Sequence, residues 1–344
     1  MSDDRIPVTV LTGYLGAGKT TLLNRILSED HGQRYAVIVN EFGEIGIDAE
    51  LVTHSNEELF EMNNGCICCT VRGDLIRTLH GLLARPGTFD AVIVETTGLA
   101  DPGPVAQTFF VDAKLRSRLR LDSITTLVDA RHISGQLADS REAAGQIAFA
   151  DQIVLNKTDL ATEAGLQTVE RQLRHLNPLA PIQRALRSGV ALDSVLGRGG
   201  FDLDRIVTLE PEFLHPAHGE PGHVHDEHCG HDHGAAAAHA GQRHDSGIAS
   251  VSLTSQQPMD AARVQAWLTQ RVATQGADIL RAKGIIDVAG DGRRMVFQAV
   301  HMMLEGDWQR PWRADELRRS RLVFIGRHLD AAALQAGFES CAAA

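Results

Sequence analysis

The 344-residue sequence holds no apolar run of the roughly 20 residues that a helical membrane span requires, so a bilayer-spanning helix is not expected. It also lacks the basic region and apolar core of a signal peptide. Met1-Ser2-Asp3-Asp4-Arg5 leads directly into an apolar strand, and the expected location is the cytoplasm. Basic residues are in deficit, 33 Lys and Arg against 44 Asp and Glu. The resulting net charge of -11 opposes nucleic acid as a partner, because Lys and Arg supply most of that affinity by displacing counterions. Cysteine is sparse. Cys66, Cys68, Cys69, Cys229 and Cys341 form an odd, clustered set, which suits reduced thiols or thiolate ligands better than a disulfide framework.

What is present divides the chain into three parts. From residue 1 to about 210, short apolar runs alternate with longer amphipathic stretches, the pattern of βα units on a mainly parallel sheet. The strand candidates are Ile6 to Leu11, Tyr35 to Val39, Ala91 to Val94, Ile124 to Val128, Ile153 to Leu155 and, less regular, Pro181 to Leu186. Residues 211–247 lose all periodicity and read as a His-rich flexible linker. Residues 248–344 resume with a strand-like Ile248 to Leu253, then a helix starting near Pro258 with Val264, Trp267, Leu268 and Val272 at helical spacing. A Gly290-Asp291-Gly292 turn separates strand candidates Ile285 to Val288 and Met295 to Val300, and Leu322 to Ile325 precedes a last helix. The expected fold is α/β: a P-loop NTPase with a mainly parallel sheet and helices on both faces, plus a smaller C-terminal α+β domain.

Gly13-Tyr14-Leu15-Gly16-Ala17-Gly18-Lys19-Thr20 has Walker A spacing and lies between a strand and the helix begun by Thr21. Its glycines let backbone N–H groups curl around phosphates. Lys19 neutralises the β- and γ-phosphates, and the Thr20 hydroxyl suits Mg²⁺. Asn156-Lys157-Thr158-Asp159 follows a strand and predicts guanine preference: the Asp159 carboxylate can accept from guanine N1–H and N2–H₂, a pair adenine lacks. The plainer account of that tetrapeptide is a helix N-cap at Thr158 or Asp159. Glu95-Thr96-Thr97-Gly98 ends another strand, where Gly98 would offer an N–H to the γ-phosphate and Glu95 would help hold Mg²⁺. Leu99 stands where Ras-like GTPases carry a water-positioning Gln, so the partner of the attacking water is unassigned and slow turnover is expected. Glu41, Glu44 and Asp48 are further candidates for water or Mg²⁺, or else a solvated acidic loop.

Gly65-Cys66-Ile67-Cys68-Cys69 is the principal metal candidate. An extended chain would oppose Cys69 to the other two thiols, so joint ligation needs a turn just before a helix near Thr70. Thiolates favour Zn²⁺, Cu⁺ or other soft-to-borderline ions, and three small buried cysteines or a redox pair are the alternatives. The linker adds His215, His218, His223, His225, His228, Cys229, His231, His233, His239 and His244, an imidazole supply suited to weak, exchangeable capture.

Taken together, GYLGAGKTTLLN from Gly13, VNEFGEIGID from Val39, GCICC, ETTGLADP from Glu95, NKTD and RLVFIG from Arg321 resemble the CobW-like family of P-loop GTPases, and the likeness spans nearly the whole chain. That family includes zinc-transferring chaperones, cobalamin-related proteins and nitrile hydratase activators. The resemblance implies GTP hydrolysis coupled to metal delivery, with Cys66, Cys68 and Cys69 as ligands and Glu41 close to the metal. It implies GTP, GDP and Mg²⁺ as ligands and a client metalloprotein as partner, but does not fix the cargo, since members differ in metal; Zn²⁺ is the expected ion, with Co²⁺ or Ni²⁺ as alternatives. It also allows a homodimer. A metal buffer or sensor with regulatory GTP binding, cobalt handling in cobalamin biosynthesis, and an ATP-dependent kinase or ligase are the competing readings.

Overall fold

The computed structural model describes residues 4–29, 32–40, 58–62, 69–84, 89–200, 247–314 and 316–343. The first unit is a seven-stranded sheet in which every pairing is parallel. Its strands are β1 (Ile6–Gly13), β2 (Tyr35–Asn40), β3 (Glu58–Met62), β4 (Ala91–Glu95), β5 (Leu119–Asp129), β6 (Gln152–Asn156) and β7 (Ile182–Arg184), in the order β3-β2-β4-β1-β5-β6-β7. The α/β expectation therefore holds. β4 and β6 are buried at every residue, as strands covered on both faces must be, which is why they read as unbroken apolar runs.

Helices cover the two faces. On one lies α1 (Lys19–Ser28), whose Leu22, Leu23, Ile26 and Leu27 pack against Leu11, Val37, Ile93 and Val154. On the other lie α2 (Cys69–Leu83), α3 (Pro102–Val111), α5 (Ile133–Asp139), α6 (Arg141–Phe149) and α7 (Glu163–Leu176), with the short α4 (Ala113–Arg118) leading into β5. Caps set several of these starts: Asp101 accepts from Gly103 N at 2.8 Å, Asp112 from Leu115 N at 2.8 Å and Ser140 from Ala143 N at 3.3 Å. No helix among the described residues is long and apolar enough to cross a membrane.

The second unit is a five-stranded sheet ordered β11-β10-β9-β12-β8, built from β8 (Ile248–Ser255), β9 (Ile279–Asp287), β10 (Arg293–Val300), β11 (Met303–Pro311) and β12 (Ser320–Arg327), with every neighbour antiparallel. α8 (Ala261–Gln275) and α9 (Ala331–Glu339) cover one face, where Trp267 meets Phe324 edge-on at 5.9 Å. The opposite face, carrying Leu280, Ile285, Val296, Val300, Val323 and Ile325, joins the core of the first unit. Asp151 reinforces that junction by pairing with Arg281, with Lys283 Nζ at 3.7 Å, all three nearly water-free. α8 starts at Ala261 rather than near Pro258, because Met259 is engaged in bridges to Val288 and Ala342 and Asp260 caps the helix through Arg263 N at 3.0 Å.

Candidate nucleotide site

β1 is central in the sheet and the chain departs to opposite sides of it, so a crevice opens beyond its carboxyl end. The Walker A residues occupy that position. Gly18 caps α1 with a left-handed φ of 107°, and a side chain there would run into the Asn156 amide and the Ser188 hydroxyl. Gly16 also has φ of 72°, and Ala17 is buried behind the loop. Lys19 Nζ reaches back to Gly13 O at 2.8 Å and Tyr14 O at 3.4 Å, which aims its ammonium along the loop rather than into solvent. Thr20 Oγ1 donates to Glu95 Oε1 at 3.4 Å, and Glu95 is 4% exposed at the end of β4, in register with Leu11 and Val39. A hydroxyl and a carboxylate side by side are the hard oxygen donors that Mg²⁺ prefers, so these residues fit the ion. Thr21, next along α1, is exposed.

The second wall comes from the ends of β5, β6 and β7. Asn156 Nδ2 donates to Ala17 O at 2.9 Å and to Ser188 Oγ at 3.1 Å, while its Oδ1 accepts from Ser188 N at 2.8 Å. Ser188 Oγ in turn donates to Gly18 O at 3.1 Å, so the NKTD loop, the P-loop and the turn after β7 form one hydrogen-bonded unit. Lys157 sits in the left-handed region, φ 60°, with Nζ on Asp129 Oδ2 at 2.8 Å. Burial pushes the Asp129 carboxyl up, but Lys157, His132 and the Arg131 N–H outweigh it and hold the group below the usual carboxylate range. Asp159 lies in a 3-10 turn, Thr158–Leu160, and is exposed at the rim. Sequence reading overlooked Asp129 and Ser188: they act largely through side-chain contacts between loops distant in sequence, and neither belongs to a run whose spacing signals it.

Residues 7–184 match the model of the CobW/HypB/UreG nucleotide-binding domain, and residues 248–342 match that of the cobalamin synthesis protein cobW C-terminal domain. The chain belongs to the CobW family. It is 35% identical over 338 residues to the zinc chaperone YjiA of Escherichia coli, covering 97% of this chain and 98% of that one. It is 44% identical over 186 residues to the zinc-regulated GTPase metalloprotein activator 1 of Schizosaccharomyces pombe, covering 52% of this chain and 45% of that one. The crystal structure of the Zn(II)-bound YjiA GTPase superposes with a TM-score of 0.73 at 29% identity, covering both chains completely.

Within this CobW architecture, Gly98 lies directly against the P-loop, where an added Cβ would come within 2.7 Å of Leu15 N. Leu15 and Leu99 are both more than half exposed. Of the proposed metal ligands, Cys69 opens α2, one residue earlier than the turn-to-helix point expected near Thr70. Cys66, Cys68, Glu41, Glu44, Asp48 and the linker residues His223, His225, His228, His231 and His233 lie outside the described residues. The described residues contain no cluster of three or more His, Cys, Asp or Glu able to hold a metal. The far end of α2 meets the start of α4, where His80 Nε2 lies 3.1 Å from Asp112 Oδ2.

Proposed function

We propose that this protein is a GTP-hydrolysing metallochaperone that loads a transition metal, zinc, on Cys66, Cys68 and Cys69 and delivers it to a client protein. The observation that carries the nucleotide half is the bonding of Asn156 to Ala17 O, which ties a guanine-type NKTD loop to the phosphate loop while Asp159 stays exposed at the rim. In this reading Asp159 accepts from the guanine edge, the P-loop N–H groups and Lys19 cradle the phosphates, and Gly98 senses the γ-phosphate. Thr20 and Glu95 would hold Mg²⁺, which supplies charge neutralisation on the phosphates when bound. The metal half is supported by the relatives, named as zinc chaperones and zinc-regulated activators, and by the thiolate chemistry of the CxCC sequence. The functional division is residues 1–210 for nucleotide and tight metal, 211–247 for weak capture by imidazoles, and 248–344 for the C-terminal CobW unit, all in the cytoplasm.

The decisive experiment is metal analysis and chelator competition on untagged protein, with and without GTP analogue and Mg²⁺, followed by transfer to an apo-client. Replacing Cys66, Cys68 and Cys69 with Ser should remove the tight site and leave GTP binding intact, since a neutral hydroxyl is a poor ligand for a borderline ion. Deleting residues 211–247 should lower only the number of weakly held ions. Retention of tight zinc by the triple serine variant would place the cargo elsewhere.

A further inference from the structure

The loop Gly98-Leu99-Ala100 joins the end of β4 to α3 and is gripped from the α6 side by a single residue. Gln146 is 1% exposed, and its Nε2 donates to Gly98 O and to Ala100 O, each at 3.1 Å. Both neighbours are acceptors, so only the NH₂ end of the amide can face them and its orientation is fixed. Gln146 is itself anchored to the sheet, since Thr126 Oγ1 of β5 donates to its backbone carbonyl at 2.9 Å. From the other side, Gly98 abuts Leu15 of the P-loop so closely that no side chain fits between them. The loop is thus clamped between the phosphate loop and one buried amide.

That amide is an expensive choice. Gln146 Oε1 is buried, and no donor among the described residues reaches it. A methionine of similar length would fill the same space without an unpaired acceptor, so what glutamine adds here is the pair of donated bonds. The Gly98–Leu99 peptide is trans, as is every peptide among the described residues, and fixing Gly98 O therefore turns the Leu99 N–H away from α6. Leu99 carries no side-chain polar group, so backbone orientation is the means by which residues 98–100 can present donors to a phosphate or a water.

We propose that Gln146 is the positioning residue for γ-phosphate sensing: its two-pronged bond holds the Gly98–Ala100 loop against the P-loop in the arrangement that recognises GTP over GDP. This rests on the GTP-hydrolysing reading above and adds a residue to it. Gln146→Met and Gln146→Glu test it on the full chain, with folding checked by thermal unfolding. In Gln146→Met, the affinity for a non-hydrolysable GTP analogue should fall about tenfold while GDP affinity stays within about twofold, because the loop held by the two bonds meets a phosphate only when a γ-phosphate is present. Gln146→Glu adds a readout that packing alone would not move. An ionised carboxylate repels both carbonyls, whereas a protonated one donates to one of them. Its analogue-to-GDP affinity ratio should therefore recover towards the wild-type value as pH is lowered from 8 to 5.5, with wild type measured in parallel. Analogue and GDP affinities falling together, an unchanged ratio in a folded variant, or a Glu variant that tracks wild type across pH would each overturn the assignment. If wild type itself fails to prefer guanine nucleotides, it is the GTPase reading that falls, and the two failures are distinguishable.

Discussion

Two aspartates bracket the same strand. Asp151 precedes β6 with its side chain 4% exposed, and it is fully committed: Oδ2 accepts from Ile124 N at 2.9 Å, and Oδ1 pairs with Arg281 and faces Lys283. Asp159 follows β6 by three residues, is exposed, and makes no side-chain hydrogen bond among the described residues. A carboxylate withdrawn from water needs its partners built into the fold, whereas one left at a rim can receive them from a ligand. The amino end of the sheet is accordingly a structural junction with the C-terminal unit, and the carboxyl end a binding edge. The comparison separates two kinds of substitution, those that should cost stability and those that should cost recognition.

The largest effect should come from Lys19→Ala. If Lys19 serves the phosphates as proposed, loss of its ammonium should lower GTP turnover by at least about 10²-fold, measured as phosphate release. The unfolding free energy should move by no more than about 1 kcal/mol, since the side chain's bonds to Gly13 O and Tyr14 O are to neutral loop carbonyls rather than to a buried charge partner. A comparable fall in both would mean that the binding edge is also structural. Asp151→Ala should do the reverse. Removing one member of a buried charge cluster typically costs about 3–5 kcal/mol, readable as a lower urea midpoint, with the GTP-to-ATP preference of the surviving folded protein unchanged.

Asp159→Asn is the sharper test of the rim. Replacing an acceptor-only carboxylate by an amide leaves a guanine N–H facing a donor, and the preference for GTP over ATP should erode by ~1–3 kcal/mol, roughly 5- to 150-fold. Competition of ATP and GTP against a fluorescent guanine nucleotide measures it. Stability should not change. Equal competition by the two nucleotides on wild type would remove the basis of the comparison altogether.

Where the sequence was legible follows the same physics. β1, β2, β4, β5 and β6 are interior strands covered on both faces, and each showed as a compact apolar run. β3 and β11 were missed, and β7 shrank from the expected Pro181 to Leu186 to Ile182–Arg184. All three are sheet edges, where one-sided pairing relaxes the need for apolar side chains. β11 places Glu305, Gly306 and Asp307 in its exposed centre. β8 is also an edge but alternates Ile248, Ser250, Ser252 against Ala249, Val251, Leu253, and so could be read. The site divides similarly. Lys19, Thr20, Glu95, Gly98, Asn156 and Asp159 carry motif spacing, while Asp129 and Ser188 contribute through contacts between loops that are distant in sequence.

The smallest expected effect lies where the two units meet. His301 occupies the turn between β10 and β11 with φ of 53°, and its Nδ1 is 2.8 Å from Gln107 Nε2 on α3. With the amide as donor, Nδ1 accepts, which requires a neutral imidazole. Burial lowers its pKa below the usual histidine value. Asp101 and Asp278 pull it up, Arg327 pushes it further down, and burial prevails. A folded pKa below the unfolded one means that the unfolded chain binds the extra proton first. Stability is then complete above about pH 6.5 and declines as pH falls through that value towards the folded pKa. His301→Asn suits the left-handed turn and can still accept from Gln107, yet has no proton to gain. Between pH 7 and 5, wild type should lose unfolding free energy relative to this variant, with the difference read from parallel urea titrations. A difference that stays flat, or grows in the opposite sense, would show that α3 and the C-terminal sheet meet without a neutral His301 between them.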